Sequence, residues 1–131
     1  MTGETNLSTL LKNMTPVLNE GDYVYCTVPA ANSVDTANII GLFKEKEGFT
    51  VILKKEVADQ FHLEYTYIAA WITLAIHSSL AATGLTAAFA TTLAKENISC
   101  NVVAAYYHDH VFVAKKDVER AMEALKNLSN Q

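Results

Sequence analysis

An uncharged run in the middle of the chain restricts the fold more than any other feature of the sequence. No Asp, Glu, Lys or Arg occurs from Thr66 to Ala94, a length that in principle can cross a bilayer. Much of the run is alanine, which drives membrane insertion weakly compared with Leu, Ile or Phe. It also carries a series of polar or flexible residues, namely His77, Ser78, Ser79, Thr83, Gly84, Thr86, Thr91 and Thr92. We therefore interpret it as the buried part of a globular fold and expect no association with a membrane.

The period of the apolar residues changes within this run. Its first part, YTYIAAWITLAI, is rich in aromatic and β-branched residues, which favour a strand. Further on, Leu85, Phe89 and Leu93 recur four residues apart, as on one face of a helix. The run thus predicts a central strand from Tyr65 to Ile76, a loop, and a helix that packs closely on the sheet through small residues.

The chain after this helix predicts two strands and a final helix. Asn97 is suited to a left-handed conformation at the end of the helix. The segments ISCNVVAAYY and HDHVFVA predict a hairpin with His108 and Asp109 at its corner. The last segment predicts an amphipathic helix whose apolar face is formed by Val118, Ala121, Met122, Leu125 and Leu128. The C-terminal half therefore follows the order β, α, β, β, α.

The N-terminal half is less regular. A short amphipathic helix around Leu10 is stopped by Pro16, and NEGD predicts a turn before the alternating strand YVYCTV. A polar loop with one helical turn near Ala37 to Phe43 follows, and then FTVIL predicts a buried strand and KKEVADQF a short helix. This half is predicted as α, β, β, α, and the strand from Tyr65 continues it into the second half.

Composition excludes several classes of function. Ten basic against fourteen acidic residues give the 131-residue chain a net charge of −4, and the basic residues form no run longer than a pair, so nucleic-acid binding is not expected. The two cysteines, Cys26 and Cys100, stand alone in apolar segments, which is typical of buried thiols. The N-terminus lacks the basic start and apolar core of a signal peptide. These features favour a cytoplasmic protein.

Segments spread over nearly the whole chain resemble a family of small bacterial proteins with two tandem ACT-like modules and no assigned function. They are VYCTV, FKEKEGFTVIL, the block from Trp71 to Ala114, and VERAMEAL. The resemblance implies an α+β, ferredoxin-like fold of two β-α-β-β-α-β modules, with antiparallel sheets and helices on one face. The modules are expected at residues 1–67 and 68–131. The second lacks its own last strand, which is expected to come from the first half or from another subunit.

The same resemblance implies a regulatory or sensor protein that binds an amino acid or a similar metabolite without catalysis or a cofactor. In such a module the loop before the first helix and the β-hairpin turn lie at one end of the sheet. N–H groups at the helix start favour a carboxylate, and Asp109 can accept from an ammonium group. The expected ligand-binding residues are His77, Ser78, Ser79, Gly84, Leu85, Thr86, Tyr106, His108, Asp109 and His110.

Three other interpretations stay open from the residues alone. Ser78, Ser79 and Thr83 are equally suited to capping the helix, with Asp109 making only the turn. His77, His108 and His110 form an alternative set of metal ligands, with or without hydrolytic activity. A protein-interaction module without a ligand is the third, and a homodimer is expected in every case. No phosphate-binding loop or nucleophile elbow occurs in the sequence, so an enzyme is not expected.

Overall fold

The structure, a computed structural model, describes residues 6–75 and 84–129. Its elements in chain order are α1 (Leu7–Asn13), β1 (Thr15–Val28), β2 (Ile39–Lys44), β3 (Phe49–Lys54), α2 (Lys55–Gln60), β4 (Ile68–Ala75), α3 (Leu85–Lys95), β5 (Asn101–Ala104), β6 (Asp109–Ala114) and α4 (Val118–Ser129). One turn of 3-10 helix precedes β2 and another precedes α4. Antiparallel strands combined with helices in this order form the α+β, ferredoxin-like fold that the resemblance implies.

The chain divides into two compact units. Residues 1–20 and 70–131 belong to the first unit, and residues 21–69 belong to the second. Strand β1 passes through both, since its first six residues lie in the first unit and the remainder in the second. No described helix combines the length and the apolar character that crossing a membrane requires.

In the first unit the strands follow the order β1, β4, β6, β5. Strands β5 and β6 form an antiparallel hairpin in which Val103 lies opposite His110. Helices α1, α3 and α4 contact one another. The core contains apolar side chains of these helices together with every second residue of β4 and β6, namely Ala70, Ile72, Leu74, Val111 and Val113. Because side chains alternate along a strand, this sheet has a helix face and an opposite face.

We call the opposite face of the first unit the far face. It carries the intervening residues of the same strands, which are Asn19, Trp71, Thr73, His110 and Phe112. The rings of Trp71 and Phe112 stack with centroids 6.2 Å apart. The far face is thus partly aromatic and partly polar, whereas the helix face is apolar.

The second unit is smaller. Its strands follow the order β2, β3, β1, and both pairs are antiparallel. Cys26 lies opposite Val51 in the β1–β3 pair, and both are buried. The core is built mainly from β-branched residues of β1 and β3 with Ala58 of α2. The predicted strand FTVIL and the following helix are therefore confirmed.

The predicted turn at NEGD is wrong. Strand β1 runs for 14 residues without interruption through Asn19 and Asp22, and Gly21 takes a positive φ of 113° within it. Asn19 is held by side-chain bonds to β4, and Tyr23 pairs with Lys54 of β3. Partners on both stretches of the strand thus override the local preference of Asn, Gly and Asp for a turn.

The single helical turn predicted around Ala37 to Phe43 is confirmed only at Ala37, because the rest of that range forms a strand. The 3-10 turn spans only Thr36–Asn38 and is capped by Asp35, whose carboxylate accepts from the N–H of Ala37 at 3.1 Å. Strand β2 follows directly and pairs with β3. Because β2 is at the edge of its unit and most of its side chains are exposed, it lacks the alternation of burial that makes a strand visible in sequence.

The C-terminal half has the predicted order. Strand β4 begins at Ile68 rather than Tyr65. Asn97 takes the expected left-handed conformation, with φ of 58°. The hairpin turn lies two residues earlier than predicted, with Tyr106 and Tyr107 at its corner, because the N–H of Ala105 donates to the carbonyl of His108 at 3.1 Å and Asp109 already belongs to β6.

Candidate functional site

The start of helix α3 presents backbone donors without a side-chain cap. Its N-cap residue is Gly84, which has no side chain to accept from the first turn. Leu85 is buried in the core, whereas Thr86 is exposed. Within the described part of the chain, no side chain accepts from the N–H groups of Leu85 and Thr86. Donors of this kind attract a carboxylate.

The glycine at position 84 has a local structural cause. Its φ is 84°, in the left-handed region that residues with a Cβ avoid. A Cβ at this position would lie 3.3 Å from Cδ2 of Leu7 in α1. Backbone conformation and packing against α1 therefore explain Gly84 without a ligand, and a bulky substitution here changes the packing whether or not a ligand binds.

Asp109 is the buried polar residue of the core. Only 8 % of its surface is exposed, and alternation with Val111 and Val113 places it on the helix face. No hydrogen-bond donor to its carboxylate occurs among the described residues. Burial raises the pKa of Asp109, while the positive charges of His110 and His108 act in the opposite direction. The site thus holds a carboxylate whose ionised form is disfavoured by burial and favoured by the two neighbouring histidines.

His108 and His110 lie on the other side of the sheet from Asp109. Their rings are edge to face with centroids 6.5 Å apart. Nδ1 of His110 accepts from the indole N–H of Trp71 at 3.0 Å and lies 3.1 Å from Oγ1 of Thr73. Burial lowers the pKa of His110, the charge of His108 lowers it further, and Asp109 opposes both. The predicted site therefore divides between the two faces of the first unit.

Tyr106 lies in the turn between β5 and β6, three residues before Asp109 in the sequence. It is 56 % exposed and meets Tyr107, which is 64 % exposed, with ring centroids 5.1 Å apart at 84°. Val103 of the neighbouring strand β5 is also exposed. The turn thus offers two aromatic rings and an aliphatic side chain to solvent.

Three of the predicted ligand-binding residues, His77, Ser78 and Ser79, lie outside the described residues, as does Thr83. The alternative metal site depends on His77. Within the ranges that the structure describes, no three His, Cys, Asp or Glu side chains are grouped to hold a metal ion. A metal on Nδ1 of His110 would have to displace the Trp71 donor.

Sequence reasoning missed Trp71 and Thr73 as partners of His110, and Asn19 as the partner of both. Trp71 and Thr73 meet His110 because β4 and β6 are neighbouring strands, and the sequence alone does not show which strands are neighbours. Asn19 was assigned to a turn, although its side chain donates to Oγ1 of Thr73 at 2.9 Å. Both cysteines are free thiols, and burial raises the pKa of each.

Comparisons with known proteins agree with this fold. Family models described as the ACT domain match residues 2–70 and 67–127. A solved protein of unknown function from Vibrio cholerae, described as a possible transport protein, is 48 % identical, covers 94 % of this chain and 95 % of its own, and has a TM-score of 0.84.

Two more distant structures share the fold. An Agrobacterium tumefaciens protein is 16 % identical over 88 % of this chain and 89 % of its own, with a TM-score of 0.66. The ligand-free regulatory subunit of aspartate kinase from Thermus thermophilus is 8 % identical over 88 % of this chain and 96 % of its own, with a TM-score of 0.65. No curated protein matches the chain.

Proposed function

The chain belongs to the ACT-domain family, and from this premise we propose that it is a regulatory protein that binds an amino acid or a similar small carboxylate. The proposed ligand lies on the helix face of the first unit, between the start of α3 and Asp109. A cytoplasmic location, a homodimer and the absence of catalysis belong to the same proposal.

The observation that carries the proposal is the buried carboxylate of Asp109. The ionised carboxylate of a residue that is only 8 % exposed loses part of its hydration in the free protein. A ligand ammonium group would supply both a positive charge and N–H donors, so ligand binding would relieve this cost. The raised pKa of Asp109 has the same main cause, which is burial, and the charges of His110 and His108 oppose it only in part.

The start of α3 supplies the complementary half of the proposed site. The N–H groups of Leu85 and Thr86 and the positive end of the helix dipole favour a carboxylate. An α-amino acid carries both groups that these two features would recognise. Of the predicted site residues, His77, Ser78 and Ser79 precede α3 in the sequence and stay part of the proposed site. His108 and His110 lie on the far face, and Tyr106 lies at the rim of the turn.

A thermal-shift screen against the twenty amino acids tests the proposal, because a ligand that binds only the folded protein raises its apparent stability. We expect one or a few amino acids to raise the melting temperature, and their amides and decarboxylated amines to lose the effect. Asp109→Asn is expected to abolish the shift. Asp35→Asn is the control, because an asparagine caps the 3-10 turn as well as Asp35 does. The absence of a shift with every amino acid contradicts the proposal.

A protein-interaction module is the second candidate, and the exposed turn favours it. Val103, Tyr106 and Tyr107 together expose apolar surface next to β5, which ends the strand order of the first unit. Unpaired edge strands and exposed aromatic residues are typical of contact surfaces. Analytical ultracentrifugation of the wild type and of Tyr106→Ser with Tyr107→Ser tests it, since a dimer that uses this surface should dissociate in the double variant.

A further inference from the structure

The far face of the first unit contains a chain of hydrogen bonds that joins three strands. Asn19 of β1 donates to Oγ1 of Thr73 on β4 at 2.9 Å and to the carbonyl of Trp71 at 3.2 Å. Trp71 and Thr73 in turn meet Nδ1 of His110 on β6. The side-chain hydrogen bonds that run from β1 across β4 to β6 therefore end at a single imidazole nitrogen.

The chemistry of the indole determines the protonation state of that nitrogen. An indole N–H is a donor only, so Nδ1 of His110 must be unprotonated and the ring proton lies on Nε2. Thr73 accepts from Asn19 and keeps its hydroxyl proton free to donate to the same Nδ1. Two donors thus converge on one lone pair, and both stabilise the neutral imidazole.

Protonation of Nδ1 is compatible with one of these two hydrogen bonds and not with the other. An Nδ1–H group can donate to Oγ1 of Thr73, whose oxygen has a second lone pair. It cannot coexist with the Trp71 donor, because two hydrogens would then face each other at 3.0 Å between the nitrogens. The Trp71 bond is therefore the one that acid breaks.

Few charged groups act on His110. Neither β4 nor β5 contains a charged residue. Alternation sends Glu20, the charged residue of β1 in this unit, to the side opposite Asn19. The groups that act on His110 are its neighbours: Asp109 favours the protonated ring, and a charged His108 disfavours it.

We propose that His110 is an acid-sensitive latch: the neutral ring accepts from Trp71 across the neighbouring strands β4 and β6, and protonation of Nδ1 breaks that bond and changes the environment of the indole. The latch lies beside Asp109 in sequence but on the opposite face, and it does not depend on the proposed ligand. Burial lowers the pKa of His110, so the latch opens in mildly acidic conditions rather than at neutral pH.

Trp71 is the only tryptophan in the chain, so intrinsic fluorescence reports on the latch directly. The experiment follows the emission of the purified protein from about pH 8 to about pH 4, over the part of that range in which the far-ultraviolet circular dichroism stays constant. We expect one transition with a midpoint below the ordinary histidine pKa of about 6.5. His110→Gln is expected to remove the transition, because its amide oxygen still accepts from Trp71 but does not titrate.

His62→Asn is the matched control. His62 is a histidine of the second unit with a positive φ of 56°, which asparagine tolerates. This variant should keep the wild-type transition. A transition that persists in His110→Gln, or a wild-type emission that does not change with pH, overturns the proposal.

A second measurement serves if His110→Gln does not fold. Ring-proton NMR follows the titration of His110 in the wild type and in Trp71→Phe, which removes the donor and keeps an aromatic ring beside Phe112. Loss of a donor to the neutral imidazole should raise the midpoint of His110. An unchanged midpoint overturns the latch, because the Trp71 bond would then not depend on the proton. Both readouts use the ligand-free protein, so a failed ligand screen and a failed latch are separate results.

Discussion

Gly84 at the start of α3 lies against Leu7 of α1, although the two residues are distant in sequence. A Cβ on Gly84 would lie 3.3 Å from Cδ2 of Leu7, and the backbone of Gly84 is left-handed. The first turn of α3 thus begins against the first turn of α1. The start of α3 is therefore both a structural junction and half of the proposed ligand site.

Gly84→Ala should destabilise the protein by about 1–2 kcal/mol, because an L-residue in this conformation is strained and the new methyl group crowds Leu7. Urea unfolding measures the effect. The control is Gly41→Ala, whose Cβ would lie at an ordinary 3.4 Å from Cδ1 of Ile52 and whose φ is not positive. Equal free energies of unfolding for the two variants would contradict the prediction. They would mean that the side chain of Leu7 moves aside at no cost and that the left-handed backbone adds no strain.

Asn97 should tolerate glycine but not alanine. It follows α3 with φ of 58°, and its N–H donates to the carbonyl of Ala94 at 2.9 Å. Asn97→Ala is expected to lose about 1 kcal/mol, whereas Asn97→Gly should stay near the wild type, since only the alanine has a Cβ that resists the left-handed region without a compensating polar side chain. Thermal unfolding of both variants checks the order, and an alanine variant as stable as the glycine variant contradicts it.

Asp109→Asn should gain stability relative to the wild type as the pH rises. The pKa of Asp109 is raised in the folded protein, so the folded state holds its proton more tightly than the unfolded state. Its contribution is therefore most favourable below the unfolded pKa of about 3.9 and is lost as the pH rises through the folded pKa. Asparagine has no such dependence.

Urea unfolding of Asp109→Asn and the wild type at a series of pH values measures this difference. The difference in the free energy of unfolding between the variant and the wild type should increase from about pH 4 towards pH 7. Asp35→Asn, at an exposed position, serves as the control. A gap that stays constant or narrows with rising pH would show that the carboxylate of Asp109 is compensated in the folded protein.

Arg120→Met should loosen the junction of α3 and α4. One guanidinium nitrogen donates to the carbonyl of Glu96 at 2.7 Å, and another pairs with Asp117 at 2.8 Å. The side chain is half exposed, so we expect a loss of about 1 kcal/mol rather than the larger value of a buried pair. Lys126→Met on the same helix is the control, and chemical unfolding compares the two. Equal losses of stability in Arg120→Met and Lys126→Met would mean that the removal of a positive charge, and not the loss of these two bonds, causes the effect.

The sequence by itself determined the elements whose burial follows a clear period. The four-residue spacing of Leu85, Phe89 and Leu93 predicted α3, and all three side chains are buried. The apolar face of the last segment predicted α4, and Asn97 predicted the end of α3. The family resemblance supplied the fold itself. In these segments local preference and tertiary packing favour the same structure, so the pattern of residues is sufficient to predict the helices.

Only the tertiary structure decided the features that depend on pairing between distant strands. Strand β1 continues through Asn19 and Asp22 because bonds to β4 and β3 outweigh the turn preference of its residues. Strand β2 is an exposed edge that leaves no apolar period in the sequence. The separation of Asp109 from His110 follows from the pleat and register of β6, which turn neighbouring side chains to opposite faces. Sequence identifies residues able to do chemistry, but pairing between strands determines which of them share a face.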